Sequence, residues 1–267
     1  MTFVITFERI IVFSKIGHTG PVNCVVILAN GSEIISGSSD SKLRRWSVQT
    51  GQVIQVYEGH TDWVNCVALL PNNHIVSGSF DKSIKIWDRL TGVCLHTLTG
   101  HTNWVSDITV CSNGDVVSAS NDGSLRVWRA RSTRSGQYVC HQILANAHSF
   151  YAYCVTTVPG TDDVVSGGYE NDGTGSLKLW QRPNPTSDYT CVRTFKGHTR
   201  AVWSVAVMAN QNIVSGSLDK TVKVWSRDTG DCLHTLIGHT NYISSVAVSP
   251  YNELVTASDD NTLKIWD

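Results

Sequence analysis

Long apolar runs are missing from this chain: no stretch of its 267 residues approaches the ~18 consecutive apolar residues of a membrane-spanning helix. The N-terminal "MTFVITFERIIVFSK" is apolar only in short pieces, interrupted by Glu8 and Arg9, and lacks the basic-then-apolar order of a secretory signal. No membrane insertion is expected. Charge is scarce as well, at 16% of residues with a formal net charge of -1, which gives no overall sign of a nucleic-acid binder. Eight cysteines are present without a single Cys-x-x-Cys pair, and His96, His234 and Cys140-His141 lack the paired spacing of a zinc site. Cys94 and Cys232 recur in matching contexts, "TGVCLHTL" and "TGDCLHTL". Buried free thiols in a reducing compartment are therefore expected, in the cytoplasm or in the nucleus.

What the chain does have is nine tryptophans and a period. Histidines preceded by Gly, or once by Ala, fall at His18, His60, His101, His148, His198 and His239. Tryptophans follow at Trp46, Trp87, Trp128, Trp180, Trp225 and Trp266. Four of the six His-to-Trp intervals are 27 residues, one is 28 and the fourth is 32. Within a unit the apolar pattern has period two: "VNCVALL", "HIVSGS", "SIKIWD" and "VCLHTL" read as four short strands separated by turn residues. No interval leaves room for an amphipathic helix. A four-stranded sheet of ~41 residues cannot bury both faces alone, so neighbouring units must stack on it.

These motifs, six times in register, resemble those of the WD40-repeat β-propeller family. The closing dipeptide varies: Trp-Asp at Trp87 and Trp266, Trp-Ser at Trp46 and Trp225, Trp-Arg at Trp128 and Trp-Gln at Trp180. The resemblance implies an all-β, six-bladed propeller with four antiparallel strands per blade. It spans 1–267 as one domain, with units at about 17–58, 59–99, 100–146, 147–196, 197–237 and 238–267. The last unit stops after its third strand, so residues 8–16, around Ile10 to Phe13, are expected to complete that blade and close the circle. A monomer follows from closure. The alternative is a piece of a seven-bladed ring.

The recurrence of Ser, His and Asp raises the question of a hydrolytic triad. In the family these residues form a buried hydrogen-bonded chain with the Trp. That role maps onto His18, Ser36, Asp40 and Trp46; His60, Ser77, Asp81 and Trp87; and His101, Ser118, Asp122 and Trp128. It continues with His148, Ser166, Asp172 and Trp180; His198, Ser215, Asp219 and Trp225; and His239, Thr256, Asp260 and Trp266. A catalytic centre is single and needs a reachable nucleophile, so the repeated set reads as scaffold and no enzyme is expected. Asp172 is displaced by insertions on both sides, and that turn is the irregular one.

Function then belongs to positions where the units differ. The resemblance implies a contact ring three and five residues after each His and one before each Asp. The first set is Pro21, Trp63, Trp104, Tyr151, Ala201 and Tyr242. The second is Asn23, Asn65, Ser106, Tyr153, Trp203 and Ser244. The third is Ser39, Phe80, Asn121, Asn171, Leu218 and Asp259. Trp63, Phe80, Trp104, Tyr151, Tyr153, Trp203, Leu218 and Tyr242 form the candidate protein-binding face, since aromatic side chains dominate interaction hot spots. The contact positions contain no arginine and no basic stripe, against a phosphopeptide or nucleic-acid reader. A methyl-lysine cage beside Asp259 is a weaker option. Arg129, Arg131, Arg134 and Arg182, in the loops "RARSTRSGQY" and "QRPNPTSDY", form a candidate basic patch on the opposite face. The expected function is a non-catalytic interaction scaffold or adaptor for a peptide or protein, without metal or cofactor. The alternatives are a structural subunit held by its rim and, least favoured, an enzyme at the fourth-unit insertion with Glu170 and Asp172.

Overall fold

The computed structural model describes residues 17–131, 137–249 and 251–266. The strands expected in the second unit appear as Val64–Leu69, Ile75–Ser79, Ile84–Trp87 and Cys94–Leu98, paired antiparallel in that order. The same meander recurs, giving five four-stranded sheets and one three-stranded sheet, Ile243–Val248, Leu254–Ser258 and Thr262–Trp266. Among the described residues there is no helix. The strand expected to complete the sixth blade lies outside the described residues.

Blades stack through their apolar faces. The inner strand of each blade packs on the next from Val22–Ile27 of blade 1 round to Ile243–Val248 of blade 6. At most seams the first residue of an inner strand fills the space over a second-strand glycine. A Cβ on Gly78 would lie 2.6 Å from Val105 Cγ1, and one on Gly37 would lie 2.6 Å from Val64 Cγ1. Blade 3 carries Ala119 there, and its partner in blade 4 is the smaller Ala152, both fully buried. The pair volume is kept, as close packing requires.

The expected closure rests on residues 8–16, outside the described ones, and the described residues by themselves leave one seam without packing. Inner-strand packing does not continue from Ile243–Val248 back to Val22–Ile27. Val22 is 53% exposed, whereas its counterparts Val64, Val105, Ala152, Val202 and Ile243 are all at 0%. On the other side of the gap Leu263 is 72% exposed, against 1% or less for Leu43, Ile84, Leu125, Leu177 and Val222. The physical reason is that a seam needs two faces in contact, and blades 6 and 1 lack that contact here. Six blades stand, and among the described residues the seam between blades 6 and 1 lacks the packing of the other five.

Candidate functional site

The recurrent sets assemble as hydrogen-bonded chains. In blade 2, Trp87 Nε1–H donates to Ser77 Oγ at 2.8 Å, Ser77 Oγ lies 2.8 Å from His60 Nε2, and His60 Nδ1 lies 2.7 Å from Asp81. A carboxylate only accepts, so Nδ1 carries the proton and Nε2 accepts from the hydroxyl. Asp81 also accepts from the Thr61 and Ser83 N–H groups and from the Ser83 hydroxyl. Burial alone would raise its pKa, but the His60 and Ser83 interactions outweigh it and hold the carboxyl well below its usual range. Blades 1, 3, 5 and 6 repeat the arrangement at His18, His101, His198 and His239. Ser77, Ser118, Ser166, Ser215 and Thr256 are at 0% exposure, so no substrate reaches these hydroxyls.

Blade 4 corrects one assignment. His148 Nδ1 meets Glu170 at 2.9 Å, not Asp172, while Nε2 meets Ser166 and Trp180 Nε1–H donates to Ser166. Asp172 instead accepts from the Thr174 N–H and hydroxyl. The hairpin is longer here, so one aspartate cannot both tie the turn and reach the imidazole. The two tasks are divided, and the longer glutamate spans from the strand end. Glu170 is thereby committed to His148, Ser149 and Ser176, which removes the residue on which an insertion-centred enzyme site would rest.

The second contact set is placed by a backbone feature. In every inner strand the register breaks at the fifth residue after the His: Asn23, Asn65, Ser106, Tyr153, Trp203 and Ser244. A bulge re-aims the side chain it carries. All six line one cavity of about 570 Å³ at the mouth of the central channel. Phe80, Trp104 and Asn121 join them there.

Two aromatic groups flank the mouth. Phe80 stacks on Trp104 at 4.3 Å and on Trp63 at 5.3 Å between ring centroids. Tyr153 packs on Trp203 at 4.5 Å and on Tyr151 at 5.6 Å. Trp63, Trp104 and Trp203 remain exposed. Burial, with Tyr151 and Tyr169 nearby, pushes the Tyr153 hydroxyl up to about 12, so it stays a donor at neutral pH.

Two aromatic residues were not singled out from sequence. Phe150 contacts Tyr151 at 4.1 Å and Tyr169 at 5.8 Å. With Glu170 as the imidazole partner, the position before the carboxylate is Tyr169 and not Asn171. Counting back from Glu170 would have found it. Leu218 and Tyr242 are half-buried and do not line the cavity; Tyr242 accepts a hydrogen bond from Arg200 at 3.0 Å. Asp259 is outside the cavity too, so no cage forms around it there.

The basic patch does not stand as a free positive surface. Arg182 is buried, hydrogen-bonds Asp115 at 2.7 Å and pairs with Asp162 by charge at 3.3 Å, with its guanidinium over the Tyr189 ring. Arg129 bonds the same Asp115 at 2.9 Å and two carbonyls of the neighbouring loop. Acidic residues from two blades neutralise them. Arg131 is exposed, and Arg134 lies outside the described residues. Among the described residues no cluster of three or more metal-ligating side chains occurs. All eight cysteines are free, but only Cys66, Cys111 and Cys154 are buried, while Cys191 and Cys232 are exposed. The expectation of buried thiols therefore fails for Cys191 and Cys232, while Cys94 and Cys140 on the equivalent outer strands are partly buried against core residues.

The family model described as "WD domain, G-beta repeat" matches residues 8–47, 51–88, 92–129, 189–226 and 230–267. The unmatched stretch holds most of blade 4, with its lengthened hairpin. An uncharacterized WD repeat-containing protein of Schizosaccharomyces pombe is 39% identical over 59 residues, 20% of this chain and 16% of that protein. The protein transport protein sec13 of Aspergillus oryzae is 34% identical over 71 residues, 25% of this chain and 23% of that protein. These matches span less than a quarter of either relative. The solved structure of U3-55K superimposes with a TM-score of 0.79 at 25% identity, covering 94% of this chain and 78% of that one.

Proposed function

The chain belongs to the WD40 family, and we propose that it is a non-catalytic scaffold or adaptor that grips a peptide or protein at the channel mouth. One observation carries this reading: six bulges aim six side chains into one cavity, and exposed aromatic rings gather where blades 2 to 5 meet it. Such rings supply large contact area with little entropy to lose, which is what a binding hot spot requires. Among the described residues the cavity lining has no lysine or arginine, which supports a peptide over a nucleic acid. The repeated Ser-His-Asp sets are sealed and serve the scaffold.

Affinity capture with wild type and a Trp63→Ala/Trp104→Ala/Trp203→Ala variant tests it. Partners held by wild type should be lost by the variant while its melting temperature changes little. An identical partner list from a folded variant would remove the face. The rim-held subunit remains the second reading because of the apolar faces at the open seam. Its signature is partners that survive the triple substitution and are lost with Ile27→Asp and Leu263→Asp, neither of which lines the cavity. Monomeric behaviour is expected from closure, and light scattering decides it.

A further inference from the structure

The mouth also constrains the partner's chemistry, and this step rests on the reading just given. Next to each bulge residue the inner strand places one more side chain against the channel. Blades 1, 2 and 4 use cysteine, at Cys24, Cys66 and Cys154, and blades 5 and 6 use Ser204 and Ser245. Blade 3 alone uses a carboxylate, Asp107, the only formally charged residue in the cavity lining among the described residues. Its oxygens accept the Ile108 N–H at 2.8 Å and the Val155 N–H at 2.9 Å, which fixes it between blades 3 and 4. Each carboxylate oxygen retains a second lone-pair direction for another donor.

We propose that the channel mouth receives a cationic side chain of a peptide partner, an ammonium or a guanidinium, between the two aromatic groups and with Asp107 as its counter-charge. Trp104 and Trp203 line the cavity and remain exposed, indole being the ring that attracts such a cation best, and no basic residue among the described ones lines the cavity to repel it. The other titratable groups facing Asp107 are the Cys24, Cys66 and Cys154 thiols, which burial holds protonated and neutral. Unliganded, the Asp107 carboxyl is pushed by burial up to about 7, against the opposing effect of the two N–H donors. A bound cation stabilises the ionised form, so binding and deprotonation favour one another.

The test is isothermal titration with acetylated, amidated peptides Ala-Ser-X-Ser-Ala, where X is arginine, lysine, citrulline or norleucine. At about pH 8 the two charged peptides should bind at least about tenfold more tightly than the neutral ones, the scale of a desolvated cation–π and ion pair. The difference should shrink at about pH 5.5, where Asp107 is protonated, and vanish in Asp107→Ser. Serine already occupies the same place in blades 5 and 6, so that variant should fold, and a melt checks it. Asp107→Asn is the second variant. Equal affinity for charged and neutral peptides, binding of none, or a preference that survives both folded variants overturns the proposal. Neutral peptides that bind as well as charged ones, together with partners lost in the triple-alanine capture, would remove the cation and leave the aromatic face.

Discussion

The tetrapeptide Val-Asn-Cys-Val occurs twice, at 22–25 and at 64–67, and its two copies meet opposite fates. In both, the strand pairs antiparallel with the second strand of its blade, with a bulge at the asparagine. Val64 is buried over Gly37 of the blade before it, whereas Val22 stands in solvent at the open seam. The pairing within a blade is thus independent of the contact between blades. Blade 6 shows the same separation. Its His239–Thr256–Trp266 chain keeps bonds of 2.8 and 2.9 Å although Leu263 and Ile265 beside it are exposed. Hydrogen-bonded sets organise each sheet, and burial at the seams is what couples the sheets into a disc.

The largest expected difference between the two kinds of seam is in side-chain truncation. Leu125→Ala removes a fully buried side chain and should cost ~2–5 kcal/mol, while Leu263→Ala at the gap should stay within about 0.5 kcal/mol. Urea unfolding of both variants checks it. Similar losses at the two positions would mean that the gap is filled in solution.

Acid should act on what the open and closed seams share. The carboxylates of the sets, Asp81 and Asp260 among them, are held below their usual range, so their contribution is present above about pH 4 and lost as pH falls through the folded value. His148 is pushed down by burial despite the Glu170 partner, so it resists protonation and adds to the loss below about pH 6.5. Asp107 has the opposite sign: its raised pKa means that the fold disfavours its charge as pH rises toward about 7. Melting temperature should therefore fall steeply in wild type as pH drops below about 4. Asp107→Ser should gain on wild type at high pH, with the gain fading toward pH 4. A gain independent of pH would contradict this sign.

The period, the strands and five of the six sets were legible in the sequence because they depend on local spacing and on residue types that must satisfy one another's polar groups. The contact ring was given by the family resemblance and not by spacing alone, and the bulge that aims its second set was not foreseen. Blade 4 was not: two tasks usually done by one aspartate fall to Glu170 and Asp172, and only the register of the longer hairpin tells which is which. Nor could sequence show that Arg129 and Arg182 face Asp115, which lies 14 and 67 positions away. The differing exposure of the two Val-Asn-Cys-Val copies among the described residues was hidden most completely, since identical residues at 22–25 and 64–67 give no hint of what stands beside them.

Backbone hydrogen exchange resolved by mass spectrometry tests the separation of pairing from seam burial most directly. Segments 22–27 and 64–69 carry the same strand pairing and differ in their neighbour. Exchange in 22–27 should be clearly faster, reflecting easier local opening where apolar contacts are few. Equal, slow exchange in both would show that the first blade is packed like the others and would contradict the open seam.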